Sequence, residues 1–416
     1  MKKVLFVNDV YSLGGVEKSL EEALRYLDYD RMEVDLCILH PKEPPDGIDS
    51  RVRLIRIDER KCGRSLRYLW LSARRALYHM LSLEEKEDRI KDRLRQQYYN
   101  RERKLFFPKN YDYAIAYKHG ETAEFVAEVI KADQKIMFYH HGGIMDYELH
   151  RRAFAKAGVI AAVSQGVAEL LGEAYPEYKL KLTVIPNLID AASIRRRAKE
   201  YSVKILSGNL KSPEEQGVGT INADLCISDS HGGYSQFLQW EDELFFTLCS
   251  CGRLNPEKGF DLAVAAAKLL DNKKLKFHWY FVGDGAARGE LEESIRRLGL
   301  DSRITITGRL ANPLPYLDAC DIYVQPSYTE AFCLSIAEAQ VLGKPVVSTA
   351  TIGAKYLIED KVTGILTGFN GESLENAISR LVSNPEQREF LIRNTKGKDY
   401  SRNLKEYKEQ WMRLLE

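Results

Sequence analysis

Two cations in the second half of the chain stand where an anion could be held. Arg253 and Lys258 fall in Gly252-Arg253-Leu254-Asn255-Pro256-Glu257-Lys258-Gly259, after the apolar run Leu244–Leu248 and before the helical pattern Asp261–Leu270. That puts both at the C-terminal end of a strand and the N-terminal end of a helix, the rim at which open α/β sheets bind ligands. Fixed positive charge beside free backbone N–H groups suits a diphosphate. Taken alone, the same residues read equally as solvated surface charges.

Two carboxylates follow. Glu330 and Glu338 lie in the stretch from Gln325 to Ala339, Glu330 ahead of a helix and Glu338 within it. Eight residues of helix span about 12 Å, comparable with the distance from the sugar to the ribose of a nucleotide-sugar. Glu338 is flanked by Ala337 and Ala339 on an otherwise apolar helix, and a carboxylate there needs a partner. A ligand or a buried ion pair would serve. Glycines end the neighbouring strands, as Val282-Gly283-Asp284-Gly285 and Thr307-Gly308-Arg309, and clear space along one rim.

The first half offers weaker signals. Gly14-Gly15 sits between the strand Val4–Val7 and a helical pattern from Val16 to Leu27. Two glycines let a backbone approach a ligand closely, and the helix N-terminus favours an anion; a structural turn explains them as well. The pair is not the G-x-G-x-x-G dinucleotide fingerprint, so it gives no argument for NAD. His140 follows the strand Lys135–Tyr139, with His141 adjacent, and His119 follows Tyr113–Tyr117. Asp28-Tyr29-Asp30 is a D-x-D, a pattern that holds Mn²⁺ in another fold. Here it lies between the first helix and the next strand, at the opposite rim, and no metal role is expected. The remaining histidines show no ligand spacing with carboxylates or cysteines.

Short apolar runs alternate with helical patterns to position these residues. Glu33–Leu39, Val52–Ile57, Val159–Val163 and Thr183-Val184-Ile185 complete the strands of the first half; Phe277–Val282, Ile304–Ile306, Ile322–Gln325 and Val346–Ser348 those of the second. Strands separated by helices imply parallel β-α-β units and doubly wound sheets. The fold class is α/β, with two Rossmann-like domains in tandem, residues 1–187 and 188–397. Residues 203–240, rich in glycine and with one strand-like run at Ala223–Ser228, read as an insertion. The run Tyr400 to Leu415 is helical, with Tyr407, Trp411 and Leu414 on one face that needs a surface to cover.

Composition sets the outer bounds. The chain has 416 residues, with 61 Lys and Arg against 60 Asp and Glu, so a globally basic nucleic-acid binder is not indicated. Apolar residues at 44% and charged residues at 29% exclude disorder, collagen and a coiled coil as the main architecture. Seven cysteines form no C-x-x-C pair, Cys249 and Cys251 read as small core residues, and a reduced, cytoplasmic setting is expected. No stretch is long enough to span a membrane, and the N-terminal apolar run is too short for a signal peptide. One block departs from neutrality: residues 51–109 hold 18 Lys and Arg against 8 Asp and Glu. Within it, Leu69, Ala73, Ala76, Leu77 and Met80 share a helical face, with Trp70 and Tyr78 suited to an interface. This reads either as a core helix with a basic side or as a peripheral surface for an anionic membrane, at the inner face of the cell membrane.

The stretch 252–348 resembles the nucleotide-sugar site of glycosyltransferase family 4. The resemblance rests on Gly252-Arg253…Glu257-Lys258-Gly259, Val282-Gly283-x-Gly285, Glu330-x7-Glu338, Gly343-Lys344-Pro345-Val346-Val347 and Thr363-Gly364. Gly14-Gly15 and Ile185-Pro186-Asn187 match the family's N-terminal part and linker, and the closest likeness is to capsular or cell-surface polysaccharide transferases. The resemblance implies a GT-B fold, two Rossmann-like domains facing each other across a cleft, with residues 398–416 a helix crossing back to the first domain. It implies a retaining, metal-independent transfer of a hexosyl group from a nucleotide-sugar, UDP-linked, to a glycan or lipid-linked acceptor, with no further cofactor. Arg253 and Lys258 would grip the donor diphosphate, with Gly283 beside it. Glu338 would hold the ribose and Glu330 the sugar. Gly14 and Gly15 would close over the phosphates, and His140, or its neighbour His141, would stand near the sugar. A nucleotide-sugar epimerase or hydrolase of the same fold, and a non-catalytic glycan- or nucleotide-binding module, are the competing readings.

Overall fold

Apolar runs become strands in both halves of the chain, and all of the described strands pair in parallel. A computed structural model describes residues 1–10, 14–40, 48–56, 107, 110–203, 245–396 and 401–416. Met1–Pro186 with Lys408–Glu416 form one unit, and Asn187–Tyr407 the other. The helical pattern Arg67 to Leu81, all but the first residue of 203–240 and the strand-like run Ala223–Ser228 lie outside the described residues.

The first unit holds seven strands among the described residues: β1 (Lys2–Val10), β2 (Met32–His40), β3 (Arg53–Arg56), β4 (Tyr111–Ala116), β5 (Ala132–Tyr139), β6 (Val159–Ala162) and β7 (Leu182–Val184), in the order β3-β2-β1-β4-β5-β6-β7. Val4 pairs with Val34 on one side and Tyr113 on the other. Every side chain from Val4 to Val7 is fully buried, as a central parallel strand covered on both faces requires. The helices are α1 (Gly15–Arg25), α2 (Glu121–Glu128), α3 (Tyr147–Ala155) and α4 (Gln165–Ala174). Ser164 caps α4, its hydroxyl accepting the Val167 N–H at 3.4 Å.

The second unit has six strands among the described residues: β8 (Phe245–Cys251), β9 (Lys276–Val282), β10 (Ile304–Gly308), β11 (Ile322–Gln325), β12 (Val346–Thr349) and β13 (Ile365–Thr367), in the order β10-β9-β8-β11-β12-β13. The edge strand β13 escapes the sequence pattern because its two apolar residues, Ile365 and Leu366, stand between Gly364 and Gly368 and read as part of a loop. Helices α5 (Ala191–Arg197), α6 (Phe260–Asn272), α7 (Arg288–Arg297), α8 (Leu314–Ala319), α9 (Leu334–Val341), α10 (Ile352–Leu357), α11 (Gly371–Ser383) and α12 (Pro385–Lys396) accompany them. Leu248, Phe277, Trp279, Phe281, Ile322 and Val324 supply the centre of the core. Cys249 belongs to the buried interior, whereas Cys251, the last residue of β8, is only half-buried.

The last helix, α13 (Ser401–Leu414), delivers its end to the first unit. Trp411 packs at 5.7 Å from Phe6 and 5.5 Å from Phe138, ring centre to ring centre. The buried set is Tyr407, Trp411 and Leu415. Leu414, expected on that face, is only half-buried, because the buried positions repeat every four residues and Leu415, whose N–H still bonds the Trp411 carbonyl at 3.1 Å, takes the inward place.

Candidate functional site

The strand order reverses between β8 and β11, and between β1 and β4. At such a point the two connections leave in opposite directions and open a crevice at the carboxyl ends of the strands. In the second unit that crevice is lined by the segment after β8, which carries Arg253 and Lys258, and the segment after β11, which carries Glu330.

These two segments are laced together. The Tyr328 N–H donates to the Glu257 carbonyl at 2.9 Å. Gly259 has φ +63°, and a Cβ on it would run into the Pro326 carbonyl oxygen, so only glycine lets the segments approach this closely. The result is a largely buried ion pair, Lys258 Nζ to Glu330 Oε1 at 2.9 Å. Burial alone would lower the Lys258 pKa; the Glu330 charge and hydrogen bond outweigh it and raise the value. Lysine has three N–H donors and this pair uses one. Arg253 is exposed, with no ion pair among the described residues, and Glu338 is 5% exposed within α9.

The structure corrects two expectations from the sequence. The interval from Glu330 to Glu338 is not eight residues of helix: α9 begins at Leu334, and Glu330 sits in a loop held by its carbonyl accepting the Gly353 N–H at 2.8 Å. Nor do the strand-end glycines only clear room for a ligand. A Cβ on Gly283 would run into the Gly252 carbonyl oxygen, and one on Gly285 would meet the Leu254 carbonyl oxygen at 2.5 Å. Their first task is to let the segments after β8 and β9 touch.

In the first unit, Lys118 Nζ lies 2.8 Å from Asp9 Oδ2 at the end of β1 and β4. Gly14 caps α1 with an extended backbone, and a Cβ on it would meet Glu17 Oε2 at 2.5 Å. Gly15 is the first residue of α1. His140 packs 5.1 Å from Tyr117 and 5.9 Å from Phe138, ring centre to ring centre. Its Nε2 is buried with no hydrogen-bond partner, and burial holds its pKa down to about 3. His119 has a buried unpartnered Nδ1 and is likewise held at about 3, by burial first and then by His141. At neutral pH both rings are uncharged, so neither acts as a cation there.

His150 offers no ligand spacing in the sequence. It is wholly buried; its Nε2 accepts the Gly120 N–H at 2.9 Å, so its Nδ1–H donates to the Met145 carbonyl at 2.6 Å. This locks one neutral tautomer and ties α3 to the loop after His119. Gln325 and Ser327, also unassigned by sequence, face Glu330, and Ser335 bonds Gln325 behind them. Their sole signal is a polar Gln-Pro-Ser at the end of an apolar strand. Asp28-Tyr29-Asp30 lies between α1 and β2, its Tyr29 ring covered by Arg51 at 4.1 Å. Among the described residues no group of three or more His, Cys, Asp or Glu is disposed to hold a metal, and no helix is long and apolar enough to cross a membrane.

Comparison with known proteins bears on the second unit most directly. Residues 239–398 match the family described as glycosyl transferases group 1. The alpha-D-kanosaminyltransferase of Streptomyces kanamyceticus is 33% identical over 146 residues, 34% of this chain and 38% of that protein. This chain thus matches well under half the length of that curated relative. Among solved structures, Anabaena HepE in complex with UDP-glucose superposes with a TM-score of 0.64 at 18% identity, covering 100% of this chain and 99% of that one. A mutant of S. aureus TarM in complex with fondaparinux, alpha-GlcNAc-glycerol and UDP gives 0.70 at 12% identity, covering 100% of both. Residues 239–398, which set Arg253, Lys258, Gly283, Glu330 and Glu338 around a six-stranded parallel sheet, therefore carry the pattern of glycosyl transferases group 1 in a chain of GT-B fold.

Proposed function

We propose that the chain is a retaining glycosyltransferase of family 4, moving a sugar from a UDP-linked donor to a glycan or lipid-linked acceptor in cell-surface polysaccharide synthesis. The observation that carries the reading is the Lys258–Glu330 pair at the point where the second sheet reverses its strand order, with Arg253 exposed beside it and in no ion pair among the described residues. Two cations meet the diphosphate, and a carboxylate on the same crevice meets the sugar. Glycosyl transfer passes through an oxocarbenium-like state while negative charge develops on the departing diphosphate. Lys258 keeps two N–H donors for that charge and Arg253 offers its guanidinium; preorganised donors are worth most where charge develops. Glu338 takes the ribose hydroxyls. No metal takes part, and activity is expected to survive EDTA.

The deciding experiment combines calorimetry with UDP and turnover of a panel of UDP-sugars, with and without membrane extract. Wild type should bind UDP and consume one donor in an acceptor-dependent way. Arg253→Ala should weaken UDP binding by about 1.5–3 kcal/mol at no cost in stability, since that side chain is exposed. Lys258→Ala should lose affinity and stability together, because it leaves Glu330 unpaired. Glu330→Gln should lower turnover more than UDP affinity, and Glu338→Ala the reverse. No UDP affinity in the wild type, or donor hydrolysis indifferent to any acceptor, would overturn the transferase reading. The basic block of residues 51–109 is the proposed contact with an anionic membrane. Co-sedimentation with anionic vesicles at low but not high salt would support it; no binding at low salt would remove it.

A further inference from the structure

One chain of side chains behind Glu330 has a direction imposed by chemistry. Gln325 ends β11 with its side chain 1% exposed, beside Tyr323 and Ser327, both fully buried. The Tyr323 hydroxyl donates to Gln325 Oε1 at 2.6 Å, and the Ser335 hydroxyl donates to the same oxygen at 2.9 Å. Gln325 Nε2 donates to Ser327 Oγ at 2.8 Å and points at Glu330 Oε1 at 3.5 Å. Ser327 Oγ donates to Glu330 Oε1 at 2.8 Å. An ionised carboxylate only accepts, so the single Ser327 proton must go to Glu330. Ser327 must then accept from the amide nitrogen, and the amide oxygen must face Tyr323 and Ser335. No flipped arrangement satisfies all four groups.

We infer that Gln325 is the positioning residue of the glycosyl site: its amide orients Ser327, and through Ser327 fixes one oxygen of Glu330, so that only the other oxygen is left for the sugar. Oε1 already receives Lys258 and Ser327 and faces the amide nitrogen. Oε2 has no hydrogen bond among the described residues. Thr349, at the end of β12, donates to the Ser327 carbonyl and holds the loop from behind. The relay thus spans β11, the loop after it, α9 and β12, and it converts the packing of four segments into the orientation of one carboxylate. The functional meaning of the relay rests on the transferase reading; its hydrogen-bond order does not.

The test is Gln325→Glu in the full chain. The replacement keeps an acceptor for Tyr323 and Ser335 but faces Ser327 with an oxygen instead of an N–H group. The Ser327 proton then has two carboxylates to serve, and the two acids repel. Expected are a fall in kcat of at least about tenfold on the UDP-sugar that the wild type uses, a Kd for UDP within about twofold of wild type, and, in the crystal, a Glu330 carboxylate turned away from Ser327. Ser327→Ala, which removes the link without adding charge, should give the same split between kcat and UDP affinity. Ser335→Ala should give a smaller loss, since Tyr323 still holds the amide. Unchanged kcat in both Gln325→Glu and Ser327→Ala, or a Glu330 carboxylate unmoved in both crystals, would overturn the inference. If wild type binds no UDP, the transferase reading falls, and the position of Glu330 in the two variant crystals decides the positioning role by itself.

Discussion

Cys333 has a left-handed backbone, φ 68° and ψ 79°, between Glu330 and the first turn of α9. A side chain in that region costs about 1–2 kcal/mol, and such strain gathers where surrounding structure dictates a site's geometry. Cys333 is 7% exposed, and burial first and then Glu330 raise the pKa of its thiol. Cys333→Gly should therefore leave stability within about 1 kcal/mol of wild type, relief of strain offsetting lost packing and the larger freedom of unfolded glycine. Cys333→Val should cost about 2 kcal/mol or more, since a β-branched residue resists φ above zero. Urea denaturation checks the order; a valine variant as stable as wild type would contradict it. This turn is not legible in the sequence. Ala331-Phe332-Cys333-Leu334 continues an apolar pattern, which carries the apparent helix back to Glu330. What stops it is a backbone conformation that no side-chain pattern records. The relay through Gln325 is hidden for a related reason: its members are near in sequence, but their hydrogen bonds depend on where β11 and α9 meet.

At the scale of elements, strand-end glycines convert sheet geometry into site geometry. Gly283→Ala should destabilise the second unit by about 2 kcal/mol or more, through contact with the Gly252 carbonyl. It should also weaken UDP binding, because the segment carrying Arg253 must shift. Gly289→Ala is the control: a Cβ there meets nothing within 4 Å, in the first turn of α7, and stability should rise by up to about 0.5 kcal/mol. Equal effects of the two substitutions on the unfolding midpoint would refute the packing role. The strands themselves are legible because central parallel strands are continuous apolar runs, as Val4–Val7 and Phe277–Val282 show. β13 falls below that signal, with only Ile365 and Leu366 apolar between two glycines. The terminal helix is legible as a face, with its end misplaced by one residue, from Leu414 to Leu415.

For the whole molecule, acid is expected to weaken the two units unequally. Burial lowers the pKa of His119 and His140 to about 3 in the first unit and of His278 to about 4 in the second. His278 holds its place through Nε2, 2.8 Å from Thr305 Oγ1. Burial also lowers the pKa of His150, which adds to the first unit. The unfolded chain takes up these protons near pH 6.5 and the folded one does not. Stability from neutral burial is therefore complete above about pH 6.5 and is lost as pH falls toward the folded values. At about pH 5.5 each of His119, His140 and His278 withdraws about 1.4 kcal/mol, so the first unit should lose at least about twice as much as the second. Hydrogen exchange read by mass spectrometry at neutral pH and at about pH 5.5 should show peptides of the first sheet losing protection first. Earlier loss in the second sheet would contradict this assignment of the acid-sensitive groups.

The packing of Trp411 on Phe6 also imposes an order in time. The first strand of the chain leaves the ribosome with an aromatic face that its own unit cannot cover until residue 411 has been made. At about 5–20 residues per second, roughly 400 residues of synthesis separate the two, a delay of about 20–80 s. The core cluster of the second unit is drawn from residues between Phe246 and Leu391, all made before Trp411, and can close in the interval. The half that begins first is thus finished last, and during translation Phe6, Tyr117 and Phe138 are expected to lack the cover that the Trp411 ring gives them in the folded chain. Trp411→Ala makes that lack of cover permanent: it should cost the first unit about 3–5 kcal/mol and raise aggregation during synthesis more than during refolding of the finished chain.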